Sequence, residues 1–182
     1  MNRHALIADI VSAVKMQKLI SPNEYRVAIV LPLIFLAGPI RSAPKWHGTA
    51  IEYLFSKEND LTIISPHRTG GKVIPSKMFQ RQRGWERHYI NIAKDHGCVM
   101  FWLPEEEKHN CDKVYGAMSR FELGQIFTYY QLDHNTRFCI GSDGKFPELH
   151  TIEYDLSINA PDKKILSTLE ETCDEALRIA LN

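Results

Sequence analysis

The stretch VAIVLPLIFLAGPI, residues 27–40, decides the fold because it is apolar almost throughout and contains several β-branched residues. Such a run is typical of a strand that is buried on both faces of a parallel sheet. Its predicted core is Leu33–Ala37, since Pro32 would be poorly tolerated inside a central strand. Gly38 and Pro39 then end the strand in a tight loop.

Strand and helix patterns alternate along the rest of the chain. Short apolar or alternating segments predict four more strands, at Leu61–Ser65, Cys98–Leu103, Arg137–Ile140 and residues 152–158. A turn at residues 141–144 is predicted to end the fourth strand. Helical spacing predicts helices at about 4–19, 45–57, 79–94, 116–131 and, after a capping box at Ser167 and Glu170, to the end. This order predicts an α/β fold with a mostly parallel five-stranded sheet and helices on both faces.

Length and charge limit the classes of protein to consider. The chain has 182 residues, which suits one domain, and its formal net charge is +0. A neutral chain lacks the basic field needed to bind a nucleic acid polymer. The longest apolar run is too short for a membrane span, which needs about 20 residues. Asp9 and Lys15 interrupt the segment where a signal peptide would have its apolar core, so we expect a cytoplasmic protein.

Several common kinds of site lack their sequence signal. The four cysteines are scattered without a CxxC pair, which indicates neither a disulfide scaffold nor a metal site. Neither GxGxxG nor GxxxxGK[ST] occurs, so a dinucleotide or P-loop site has no fingerprint here. The sequence therefore predicts no metal and no cofactor.

Ligands of open α/β sheets bind beyond the carboxyl ends of the strands. Among residues near those ends, Glu122 lies early in a predicted helix with largely apolar neighbours. Gly124 is a poor helix former, which makes sense if something must approach that helix closely. Glu86 could point toward the same crevice, although an exposed helix charge is the commoner role of such a residue. Two carboxylates in an apolar crevice would suit glycosidic chemistry.

Taken together, these segments resemble the nucleoside 2-deoxyribosyltransferase family, in particular its branch of short bacterial and phage proteins. The motifs are IFLAGPI (34–40), SPHR (65–68), QxxWE (82–86), VMFWLP (99–104), SxxELG (119–124) and STLEE (167–171). The match covers residues 33–181, and the order and spacing of the motifs make it specific. We divide the chain into an N-terminal helical extension, 1–30, and a transferase-like domain, 31–182.

The resemblance implies a flavodoxin-like or Rossmann-like three-layer sandwich and a retaining mechanism without a cofactor. Glu122 would attack C1′ of a 2′-deoxynucleoside, and Glu86 would hold the base or handle its proton. The partners implied are a nucleoside or nucleotide, a free nucleobase and a second copy of the chain, in at least a homodimer. The substrate would be bound by Gly38, Pro39, Ile40, Arg41, Arg68, Gln82, Trp85, Trp102 and Ser119.

Two alternatives remain open at this point. A hydrolase of 2′-deoxynucleoside 5′-monophosphates would need a phosphate site, which Arg41, Ser42, Arg68 and Ser119 could supply. A nucleotide sensor or partner-binding module could keep the fold without turnover. One departure from the family bears on the site: Met118 and Ser119 stand where members often carry paired threonines, so only Ser119 keeps a hydroxyl there.

Overall fold

Six strands form the centre of the computed structural model, which describes residues 18–26, 29–67 and 76–182. In chain order they are β1 (Lys18–Ile20), β2 (Leu33–Ala37), β3 (Thr62–Ile64), β4 (Cys98–Leu103), β5 (Phe138–Ser142) and β6 (Ile165–Leu166). Every neighbouring pair is parallel, and the order across the sheet is β1-β3-β2-β4-β5-β6. The predicted parallel sheet is therefore confirmed, with six strands in place of five.

Five described helices cover the two faces of this sheet, namely α1 (Trp46–Lys57), α2 (Ser76–His96), α3 (Ala117–Leu132), α4 (Leu149–Asn159) and α5 (Leu169–Leu181). The buried side chains of α2, α3 and α4 pack with Phe35 and Phe101 on one face. Those of α1 and α5 pack with Leu36 and Met100 on the other. The alternation of side chains along β2 and β4 thus supplies both cores, as expected of strands buried on two faces.

The strand order β3-β2-β4-β5-β6 is the 2-1-3-4-5 order of the flavodoxin-like fold, with β1 added at the β3 edge. The predicted three-layer fold is confirmed. Four predicted helices agree closely with α1, α2, α3 and α5. The remaining one, at residues 4–19, lies mostly outside the described residues, and its last two residues, Lys18 and Leu19, belong to β1.

The predicted strand at residues 152–158 is wrong, because this segment lies within helix α4. Ile152 and Leu156 are buried against the core, whereas Tyr154 and Ile158 are 67% and 56% exposed. Two buried residues four positions apart fit one face of a helix as well as one face of a strand. The alternating pattern arose because two exposed apolar residues happen to lie between and after them.

Two smaller predictions also change in detail. Gly141 and Ser142 belong to β5, so the predicted turn at 141–144 begins two residues too early. The capping box of α5 is shifted by one residue, since the Thr168 side chain accepts a hydrogen bond from the Glu171 backbone N–H. The Glu171 carboxylate in turn accepts from the backbone N–H of Ser167.

Gly38 lies where β2 turns into its loop, and the packing there leaves no room for a side chain. Its φ is +148°, and an added Cβ would lie 2.3 Å from the Trp102 carbonyl oxygen and 2.8 Å from the Trp46 ring. We expect Gly38→Ala to lower the free energy of unfolding by about 2 kcal/mol or more, measured by urea denaturation. The control is Gly48→Ala in α1, where a Cβ would meet no atom within 4 Å. Equal stability of the two variants would contradict this account.

Candidate active site

β2 is the strand at which the chain reverses its direction of growth across the sheet. The next strand after β2 is β3 on one side, and the one after that is β4 on the other. Open α/β sheets bind ligands at such a switch point, outside the carboxyl ends of the strands. Ala37 pairs with Phe101 here, so the loop that follows β2 lies beside the end of β4.

The loop after β2 carries three of the predicted binding residues, and α1 fixes its position. The Trp46 indole N–H donates a hydrogen bond of 2.9 Å to the carbonyl oxygen of Pro39. Pro39 is buried and Gly38 is half-buried, whereas Ile40 is 36% exposed. In this loop the side chain of Ile40 and part of Gly38 are therefore accessible at the carboxyl end of β2.

Glu122 is carried by α3, whose start is fixed by several contacts. Gly116 precedes the helix with φ +65°, and an added Cβ there would lie 2.5 Å from the Phe146 ring. The Arg120 guanidinium donates to the carbonyl oxygens of Tyr115 and Pro147. These contacts hold the first turns of α3, so that Glu122 is turned inward and only 8% exposed.

Arg83 joins the two predicted catalytic carboxylates. Its Nη1 donates a hydrogen bond of 2.5 Å to Oε2 of Glu86 on the same helix and another of 2.5 Å to Oε1 of Glu122 on α3. The amide nitrogen of Gln82 donates a 2.9 Å hydrogen bond to Oε1 of Glu86. The structure therefore brings together Gln82, Glu86 and Glu122, all three from the predicted site.

The Glu122 carboxyl is protonated more easily in this cluster than a glutamate side chain is in water. Burial raises the pKa of the Glu122 carboxyl, the hydrogen bond and charge of Arg83 lower it, and the charge of Glu86 raises it; the net result is a rise from 4.5 to about 7. Burial lowers the pKa of Arg83, but Glu122 and Glu86 outweigh that effect and raise it overall. Arg83 is therefore cationic, and Glu122 changes charge close to neutral pH.

Helix α2 is held in place on the side away from this cluster. The Trp85 indole N–H and the Tyr89 hydroxyl donate hydrogen bonds of 2.8 and 3.1 Å to the carbonyl oxygen of Glu24. The Tyr89 oxygen in turn accepts from the backbone N–H of Arg26 at 3.0 Å. Residues 24–26 thus fix the rotation of α2, and with it the direction of Arg83 and Glu86.

The other predicted binding residues lie at different depths. Trp85 is fully buried in the core beneath α2, and Trp102 packs on the opposite face of the sheet, with α1 and α5. Ser119 is buried one turn before Glu122, and Arg41 is exposed. Arg68 lies outside the described residues.

Arg83 is the site residue that the sequence did not reveal. It stands in RQRGWER, between the similar arginines Arg81 and Arg87, both of which are exposed. A weak signal was present, because Arg83 precedes Glu86 by three residues and such pairs face each other on a helix. Its contact with Glu122, 39 residues away, depends on how α2 and α3 pack.

Gly124 does not serve a close approach within the chain. An added Cβ there would meet no atom within 4 Å, and the residue is exposed on α3. The surface of α3 beside Glu122 is therefore open at this position, and packing does not explain the glycine.

Comparison with known proteins adds no family. No protein-family model matches the sequence, and no curated protein matches it. Within the described ranges, no group of three or more His, Cys, Asp or Glu side chains could hold a metal ion. None of the described helices is long and apolar enough to cross a membrane.

The two carboxylates are close enough to act on one reacting atom. Because both contact the same Arg83 nitrogen, their nearest oxygens lie within about 5 Å of each other, where like charges repel strongly. Retaining glycosidases pair a carboxylate nucleophile with a second, nearby carboxyl group that handles a proton. The arrangement can therefore supply a carboxylate nucleophile and a second group for proton transfer.

The raised pKa of Glu122 predicts a pH-dependent stability. Its folded-state value of about 7 lies above the ordinary 4.5, so the folded state binds a proton that the unfolded chain releases between these values. The stability that this proton provides is present below pH 4.5 and is lost as the pH rises through 7. Glutamine mimics the neutral acid and does not ionise. The free energy of unfolding of Glu122→Gln, taken relative to wild type, should therefore be higher at pH 8 than at pH 5 by about 1 kcal/mol or more.

The measurement is urea denaturation of wild type and variant at both pH values. Glu153→Gln, an exposed glutamate of α4, is the matched control and should show the same difference from wild type at both pH values. A stability difference for Glu122→Gln that does not change with pH would contradict the prediction.

Proposed function

We propose that this chain is an enzyme of the nucleoside 2-deoxyribosyltransferase type, which cleaves the N-glycosidic bond of a 2′-deoxynucleoside and transfers the sugar to another base. The observation that supports the proposal is the cluster of Glu122, Arg83 and Glu86, carried by the two helices that follow β3 and β4. Buried carboxylates with a perturbed pKa in a crevice are typical of catalytic groups.

In the proposed first step, a carboxylate oxygen of Glu122 attacks C1′ of the deoxyribose. The bond between C1′ and the base nitrogen breaks, and its electron pair leaves with the base, which takes up a proton. That proton comes from water, and Glu86 is the group that we assign to hold the base and guide the proton, because its carboxylate contacts the same Arg83 nitrogen as Glu122. The product is a deoxyribosyl ester of Glu122, and a covalent intermediate of this kind splits one difficult displacement into two easier ones.

In the second step, a nitrogen of the acceptor base attacks C1′ from the side that the first base left. The ester bond breaks, its electron pair returns to Glu122 as the carboxylate, and the acceptor loses a proton to Glu86 or to water. Two displacements restore the original configuration at C1′.

A deoxyribose suits this site because a sugar without a 2′-hydroxyl forms an oxocarbenium-like transition state more readily. A moderately nucleophilic carboxylate is then sufficient for attack at C1′. The backbone at Gly38 and the side chain of Ile40 would lie against the sugar or base at the crevice, since both are at the end of β2. No step of this mechanism uses a metal or a cofactor.

We also propose that the enzyme acts as a homodimer or a higher homo-oligomer. Phe121 and Met118 flank Glu122 on α3 and are 57% and 42% exposed. Apolar side chains beside a catalytic residue are suited to contact with a second subunit. The oligomeric state in solution, measured by light scattering, is the direct test of this part of the proposal.

The transferase activity is tested by chromatographic analysis of the products. Purified protein is incubated with 2′-deoxynucleosides or their 5′-monophosphates, with and without a free acceptor base. We expect a new nucleoside only when the acceptor is present, and mass spectrometry of the quenched enzyme should show one deoxyribosyl group on Glu122. Glu122→Gln should lower kcat/KM at least about a thousandfold, because it removes the nucleophile.

The control variant for this assay is Glu153→Gln, which should keep full activity. Free base released at the same rate without acceptor, and only from 5′-monophosphates, would replace the transferase by the nucleotide hydrolase. Binding of nucleotide without turnover, unaffected by Glu122→Gln, would instead indicate a sensor and overturn the enzyme proposal.

The pKa of Glu122 also predicts the pH dependence of the reaction. Only the ionised carboxylate can attack C1′, and its pKa in the free enzyme is about 7. The value of kcat/KM should therefore be constant at high pH and fall about tenfold per pH unit below 7. A profile that stays flat from pH 8 down to pH 5 would contradict the assignment of Glu122 as the nucleophile.

A further inference from the structure

Arg83 has no part in the steps described so far, yet it contacts both acids that carry them. We propose that Arg83 is a positioning residue: it fixes Oε1 of Glu122 so that Oε2 faces the sugar, and its positive charge favours the ionised carboxylate of Glu122 beside that of Glu86. This inference rests on the proposed function, because the atom that Glu122 attacks belongs to that reaction. It adds a third residue to the site and assigns it a separate task.

The first step of the argument is geometric. Arg83 belongs to α2 and Glu122 to α3, and the guanidinium joins the two helices through a single nitrogen that also contacts Glu86. The side chain of Arg83 is 16% exposed, and those of Glu86 and Glu122 are 11% and 9% exposed. All three groups are thus largely withdrawn from water, and each orients the others.

The second step concerns charge. Two ionised carboxylates whose oxygens lie within about 5 Å repel each other strongly in a poorly hydrated site, and a counter-charge between them offsets this repulsion. Arg83 supplies that counter-charge from a guanidinium that remains protonated. Among the described residues, Glu86 and Arg83 are the charged groups that act on Glu122, and Glu122 and Glu86 are those that act on Arg83.

The third step is that the two charges have opposite effects on Glu122. Removal of the Arg83 charge should raise the titration midpoint of Glu122, and removal of the Glu86 charge should lower it. Loss of Arg83 leaves the repulsion of Glu86 and the burial of Glu122 unopposed. Loss of the Glu86 charge removes its repulsion of the Glu122 carboxylate and leaves the attraction of Arg83. A residue that merely held α2 against α3 would not produce shifts of opposite sign, so their direction separates the two roles.

The experiment measures the titration of Glu122 directly, by NMR of protein labelled with ¹³C at the glutamate side-chain carboxyl. The signal is assigned by its loss in Glu122→Gln. We expect Arg83→Gln and Arg83→Met to raise the titration midpoint of Glu122 by about one pH unit or more, and Glu86→Gln to lower it. Arg87→Met, which removes an exposed arginine one turn later on α2, should leave it unchanged.

Kinetics give the second readout. If the midpoint rises by one unit from about 7, the ionised fraction of Glu122 at pH 7 falls about fivefold, and kcat/KM of Arg83→Gln should fall at least as much. Activity of Arg83→Gln should recover as the pH rises above the new midpoint, while Arg87→Met follows the wild-type profile. Glutamine can still donate hydrogen bonds, so this variant tests the charge even where Arg83→Met does not fold.

The outcomes separate this inference from the proposed function. Wild-type turnover with the same Glu122 midpoint in wild type and Arg83→Gln would overturn the role of Arg83 and keep the enzyme. A midpoint raised equally by Arg83→Gln and Arg87→Met would also overturn it. A wild-type protein that turns over none of the deoxynucleosides would overturn the proposed function, and with it the reaction that Arg83 is said to serve.

Discussion

The structure depends on one constraint, namely that β2 and β4 are adjacent strands buried on both faces. All five residues of β2 and all six of β4 are buried. Water can be excluded from both faces only if helices pack on each, and a parallel strand needs a crossover connection that supplies such a helix. The chain then continues outward from these strands in two directions, and α2 and α3, which follow β3 and β4, bring Glu86 and Glu122 to the same arginine.

Pairing of charges imposes the next constraint. Buried carboxylates are unfavourable unless a cation and hydrogen bonds compensate the loss of water. Arg83 compensates two of them at once, so the position of α3 relative to α2 determines whether the cluster forms. The site is consequently a property of helix packing, since α2 provides Arg83 and Glu86 and α3 provides Glu122. A shift of either helix would separate Glu122 from its counter-charge.

The sequence predicts the parts of this arrangement that local patterns determine. Continuous apolar runs locate β2 and β4 residue for residue. The edge strands β1 and β6 have only three and two residues, too few for a periodic pattern to be visible. The apolar residues of segment 152–158 fit the spacing of a strand and that of a helix. In the structure the segment is helical, with Ile152 and Leu156 buried on one face. Arg83 could not be identified because its partner Glu122 is 39 residues away, and neither helix pattern reveals their contact.

The motif QxxWE gains a physical explanation from the two sides of α2. Gln82 and Glu86, four residues apart, contact each other on the side that meets Arg83 and α3. Trp85 lies between them in sequence but points to the core, where its N–H is bound by the carbonyl oxygen of Glu24. That carbonyl belongs to the segment that follows β1, and this segment precedes residues 33–181, which carry the family resemblance. The tryptophan therefore fixes the rotation of α2, and a turned helix would carry Arg83 and Glu86 away from Glu122.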